Sequence, residues 1–116
     1  MRLAFTVPGK PLGKQRARSS SRSGRHYTPA ATRQAEVRIT WAAQAARPRG
    51  WPMDARYRVT VRFFGAHGNT DSSNVVKLVE DACNGVLYWD DRQVDDTRGI
   101  RCHGGEPRVE VEVETL

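Results

Sequence analysis

Seven carboxylates fall between Asp71 and Asp96 in the stretch DSSNVVKLVEDACNGVLYWDDRQVDD, which holds only Lys77 and Arg92 as bases. The chain around it is basic, with 19 Lys and Arg against 13 Asp and Glu, formally +6. Two chemistries fit such a pattern. Carboxylates gathered in one pocket hold a divalent cation; Mg2+ takes one or two of them and fills its other positions with water and phosphate oxygens. Carboxylates spread along a helix are solvated surface, and a Lys77–Asp81 pair there is worth only ~0.3–0.5 kcal/mol. Asp71 precedes a helical pattern, where a carboxylate caps free backbone N–H groups. Asp90 and Asp91 end the apolar run GVLYW, where adjacent like charges call for water or a bound cation. If the helix start and this strand end lie side by side, Asp71 and Asp91 converge with Lys77 nearby. A cation there would activate water, and Lys77 would stabilise charge on a phosphodiester. On the residues alone, that pocket and a solvated acidic surface stand level.

The positive charge lies elsewhere. Residues 1–38 hold nine Lys and Arg and one Glu, while the remaining 78 residues hold ten bases and twelve acids. Lys10, Lys14, Arg16, Arg18, Arg22 and Arg25 crowd a loop over about residues 9–26 that has almost no large apolar side chains. It reads as an exposed, mobile basic arm for tracking phosphates, giving affinity and salt dependence without base readout. Its forked guanidinium groups favour nucleic acid over a generic anionic surface. In RYRVTVRFF, Tyr57, Val59, Val61 and Phe63 face one side. Arg56, Arg58, Thr60 and Arg62 face the other, as solvated surface or as an extension of the phosphate-binding surface.

These groups need positioning by a small fold. RLAFTV alternates Leu3, Phe5 and Val7 inward and stops at Pro8-Gly9. A helix follows the arm, with Thr28 as N-cap, Pro29 at its first position and Ala31, Ala35, Ile39, Ala42 and Ala46 as its contact stripe. Trp41 and Trp51 read as packing residues. The second helix buries Val75, Leu78, Val79 and Ala82 and ends at Asn84-Gly85. Two strands close the chain, the last with Val109, Val111 and Val113 inward and Glu110, Glu112 and Glu114 outward. The order β-loop-α-β-α-β-β predicts one α/β (α+β) domain over residues 1–116, a mixed sheet packed with two helices. No apolar run approaches the ~20 residues of a membrane span. The N-terminus is broken too early for a signal peptide. The expectation is a cytoplasmic protein in which Cys83 and Cys102 are free thiols. A zinc site from Cys83, Cys102, His103 and a further His matches no finger spacing.

The stretch 71–96 resembles the RusA family of Holliday-junction resolvases. Members show an Asp, a second acidic residue two positions on, then Asn and, three later, Lys at a helix start. An Asn-Gly-like turn and Asp-Asp-x-Gln-Val or -Ile follow. FTVPGKPLGKQRAR and YTPAATR are similar to the family's first strand, basic loop and first helix start. The resemblance implies a RusA-like homodimer that resolves four-way DNA junctions in recombination and repair. It implies a bacterial or phage-type, nucleoid-associated enzyme that depends on Mg2+, with Mn2+ able to substitute, and uses no small-molecule cofactor. It implies Asp71, Lys77 and Asp91 as catalytic residues and Asp71, Asp91 and Asp90 around the metal. Ser73 stands where the family most often has its second Asp. Three outcomes follow: water or Asn74 fills the gap, Asp90 or Asp81 takes over, or cleavage is impaired, leaving a branched-DNA-binding protein. An RNA-directed nuclease is the other alternative.

Overall fold

The computed structural model describes residues 1–14, 18–19, 26–27 and 30–116. In chain order the elements are β1 (Arg2–Pro8), β2 (Arg18–Ser19), β3 (His26–Tyr27), α1 (Ala30–Ala46), β4 (Tyr57–Phe64), α2 (Ser72–Cys83), a 3-10 turn (Asp91–Gln93), β5 (Val94–Cys102) and β6 (Arg108–Thr115). The main sheet runs β1-β6-β4-β5, with β4 and β5 parallel and the other neighbours antiparallel, so the mixed sheet with two helices is borne out. Period-two alternation builds three of its strands. Leu3 and Val7 are buried, as are Tyr57, Val59, Val61 and Phe63, and Val109, Val111 and Val113. Each such side chain contributes about 1.5–3 kcal/mol by leaving water. Among the described residues, no helix is long and apolar enough to cross a membrane.

Both helices cover one face of the sheet. α2 buries the four residues its periodicity predicts and adds Val76 and Cys83. α1 buries Thr32, Ala35, Ile39 and Ala43, so its contact row is turned from the predicted stripe: Ala31 is exposed and Ala42 and Ala46 lie at the margin. Trp51 packs as predicted, its ring 5.3 Å from that of Tyr57. Trp41 does not. It stands two positions from both Ile39 and Ala43, which puts it on the far side of the helix in water.

The opposite sheet face corrects the reading of β4 as a phosphate surface. Arg58 binds Asp96 at 2.7 Å and Glu114 at 3.1 Å, and Arg62 stands across from Glu110 in register. Arg56 pairs with Asp95, and Thr60 is buried. With Arg98 on Asp96 and Arg108 on Glu110, the face is a lattice of alternating charge that leaves little net field for DNA. In the basic loop, Arg18 pairs with Tyr27 and Ser19 with His26 through the backbone, a short ladder inside the region read as irregular. Arg16, Arg22 and Arg25, and the helix start at Thr28 and Pro29, lie outside the described residues.

Candidate functional site

Asp71 caps α2. Its Oδ1 accepts from the Ser73 backbone N–H at 2.8 Å and from the Ser73 hydroxyl at 2.6 Å. These bonds, the hydroxyl's first, hold the carboxyl below its usual range. Ser73 therefore favours the ionised form of Asp71 and orients it. The loop ahead of Asp71 is held by Arg101, whose guanidinium donates to the Thr70 carbonyl and lies over the Phe63 ring, 5.1 Å from its centroid.

Asp90 caps the 3-10 turn in a capping box with Gln93. Its Oδ1 accepts from the Arg92 N–H at 2.8 Å and from Arg92 Nε at 3.1 Å, so its carboxyl too is held low, by that backbone N–H first and the guanidinium next. Arg92 pairs with Asp90 rather than Asp91. Gln93 explains why the motif needs an amide. Its Oε1 accepts from the Trp89 N–H at 2.8 Å, while its Nε2 donates to the carbonyls of Met53 at 2.9 Å and Ala55 at 3.0 Å. That side chain pins the Asp91 turn to the segment entering β4.

The two stations do not meet within one chain. Asp71 lies where β4 hands over to α2, and the Ser72 backbone packs against Gly99 far along β5. Asp91 lies just before Val94, at the opposite end of β5. A parallel β4–β5 pair requires the connecting element to run back along the strands, so the start and end of α2 fall at opposite ends of them. Twelve residues make α2 about 18 Å long, so Asp71 at its start and the Asp91 turn beyond its end stand far wider apart than metal–oxygen bonds of about 2.1 Å reach. The expectation that Asp71 and Asp91 lie side by side in one protomer is thus corrected. Among the described residues, no group of three His, Cys, Asp or Glu is placed to hold a metal.

Lys77 extends from α2, half-exposed, and pairs with Asp81 at 3.3 Å. Lys14 is not a free arm cation: it bridges Glu36 at 3.2 Å and Asp81 at 3.3 Å, and its backbone N–H donates to the Asn74 carbonyl. Lys10 is exposed. Asp81 is held by two lysines, Lys14 and Lys77, and Asp90 by Arg92. Cys83 is buried, which pushes its thiol up to about 12 and suits neither a ligand nor a nucleophile.

Two positioning residues escaped the sequence reading, Gly99 and Arg101, while Lys14 reads there as an arm cation. Only Gly99 carried a signal, as an isolated glycine within a strand pattern. A Cβ there would come 2.6 Å from Val76 Cγ2, so α2 packs at this distance only over glycine.

The comparisons with known proteins cover nearly the whole molecule. The uncharacterised protein YqaN of Bacillus subtilis (strain 168) is 28% identical, over 98% of this chain and 96% of its own length. The sequence model of the RusA endodeoxyribonucleases matches residues 8–114, from the end of β1 into β6, taking in both aspartate stations and Lys77. The chain belongs to the RusA endodeoxyribonuclease family.

Proposed function

We propose that this protein is a Mg2+-dependent endodeoxyribonuclease that resolves four-way DNA junctions as a homodimer, each active site combining Asp71 of one protomer with Asp91 of the partner subunit. The observation that carries this reading is the placement of the two aspartates at opposite ends of one β4–α2–β5 unit, in a member of an endodeoxyribonuclease family. One chain does not fit a shared ion. A two-fold copy laid head to tail along α2 supplies the pair twice, and two equivalent sites suit the approximate two-fold symmetry of a junction. When bound, the cation would supply a polarised water and offset phosphodiester charge. The chain's own part is to keep Asp71 ionised through Ser73, to hold Asp91 on the Gln93-pinned turn, and to offer Lys77 to the scissile phosphate once it leaves Asp81. The basic segment gathers the duplex arms by their phosphates.

The test uses a labelled mobile four-way junction, with and without Mg2+. Paired nicks that require the metal are expected; intact strands with both Mg2+ and Mn2+ would overturn the nuclease reading. Mixing Asp71→Asn with Asp91→Asn protein then separates shared from single-chain sites. A mixed dimer regains one intact site only if the two aspartates come from different subunits. A second reading, junction binding without cleavage, draws on Ser73; in that case Ser73→Asp should create the nicking that the wild type lacks.

A further inference from the structure

Trp51, Tyr57, Phe63 and Tyr88 are buried, whereas two indoles stand in water: Trp89, 58% exposed beside the Asp90–Asp91 turn, and Trp41, 66% exposed, with Val37 one turn earlier on α1 44% exposed. Trp41 and Val37 line an open groove with Ala30, Arg33, Gln34 and Arg38 on the helix face turned away from the sheet. An indole left in water at this position contributes nothing to the core. The charge around it is of one sign. The one acid of α1, Glu36, is drawn to Lys14. Among the described residues, neither Arg33 nor Arg38 has a carboxylate partner. Arg38 also lies against Gly9, 3.3 Å from where a Cβ would stand, so the face runs on into Lys10 and the basic segment.

A second copy of the chain is a poor occupant for this face. Two-fold pairing would bring Arg33 and Arg38 towards their own duplicates with no acid to offset them. Nucleic acid supplies both missing partners, phosphates for the guanidinium groups and a base face for the indole. In an intact duplex each base face is already covered by its neighbours, so an indole reaches one only where stacking is broken. Building on the DNA-binding reading above, we infer that the outer face of α1 is a further DNA-contact surface, where Trp41 stacks on a base unstacked at the branch point and Arg33 and Arg38 hold the flanking phosphates.

Binding of the full chain to a fluorescent four-way junction, a matched duplex and a single strand, all in EDTA, tests this without cleavage. Trp41→Ala should weaken junction and single-strand binding at least about fivefold, as loss of one stacked base does, and leave duplex binding unchanged; Trp41→Phe should restore most of it. Arg33→Ala with Arg38→Ala should weaken all three ligands and flatten the salt dependence. Junction affinity unchanged in Trp41→Ala would overturn the inference. So would a Trp41→Ala protein that sediments as a monomer and binds DNA normally once concentrated enough to pair, since a second copy would then be the occupant. The nuclease reading fails separately: a protein that never nicks but needs Trp41 for branched DNA refutes that reading alone.

Discussion

Asp71 and Asp90 play the same local part at opposite ends of the β4–α2–β5 unit, each capping a helical turn through Oδ1, and they differ in what closes over them. Asp71 is met by a neutral hydroxyl and a backbone N–H. Asp90 is met by the Arg92 guanidinium. A carboxylate bonded to neutral donors keeps its full negative charge for a cation, whereas one already bearing an arginine has little left to offer. The second station therefore divides its two adjacent acids, with Asp90 building the turn and Asp91 available beyond it. Counting acids in the sequence treats them as equals; their hydrogen-bond partners do not.

Substitution at each of the three acids should separate them most strongly. Asp71→Asn and Asp91→Asn should each lower the nicking rate by about a thousandfold or more while junction binding persists, and Asp90→Asn should stay within about tenfold of wild type. Equal losses from Asp90→Asn and Asp91→Asn, measured under single-turnover conditions, would erase the distinction. Lys77→Ala comes next, with cleavage slowed by about a hundredfold and junction affinity changed by no more than a few-fold. Loss of affinity in step with rate would make Lys77 a binding residue.

Smaller effects fall on stability. Gly99→Ala forces Val76 and the first turn of α2 away from β5 and should cost about 1–3 kcal/mol. Gln93→Ala orphans backbone groups at the other station and should cost about 2 kcal/mol. Urea unfolding measures both, and the two losses should add, since the sites share no partner. The smallest effect is in pH. Asp71, Asp90, Asp95 and Asp96 all titrate below the ordinary 3.8 in the folded chain, through Ser73, Arg92, Arg56 and Arg58 respectively. Their stabilisation is complete above that value and lost as pH falls through the lower folded values. The melting temperature should therefore hold level through neutrality and fall only below about pH 4; a fall beginning near pH 6 would point to other groups.

What was legible in the sequence was local. The apolar stripe of α2, the Asp71 cap and the alternation in β1, β4 and β6 depend on neighbours within a few positions. What stayed hidden depends on pairing between distant segments. The outward glutamates of β6 and the outward arginines of β4 were both readable, but only their register makes them neutralise each other. The order β-α-β was readable too, but the parallel direction of β5 relative to β4, which sends Asp71 and Asp91 apart, comes from the sheet as a whole. Trp41 was misplaced for a different reason: an alanine-rich helix has several faces small enough to pack, and periodicity alone does not choose between them.

The Lys14 bridge has a bearing on how substrate would arrive. Lys14, at the root of the basic segment, is strapped to Glu36, Asp81 and the Asn74 carbonyl, and Asp81 also pairs with Lys77 one turn away. In the proposed nuclease that root would be a fixed bearing, aiming strands swept in from solution at the helix that carries Lys77, and cutting the strap would spoil the aim before it weakened the grip.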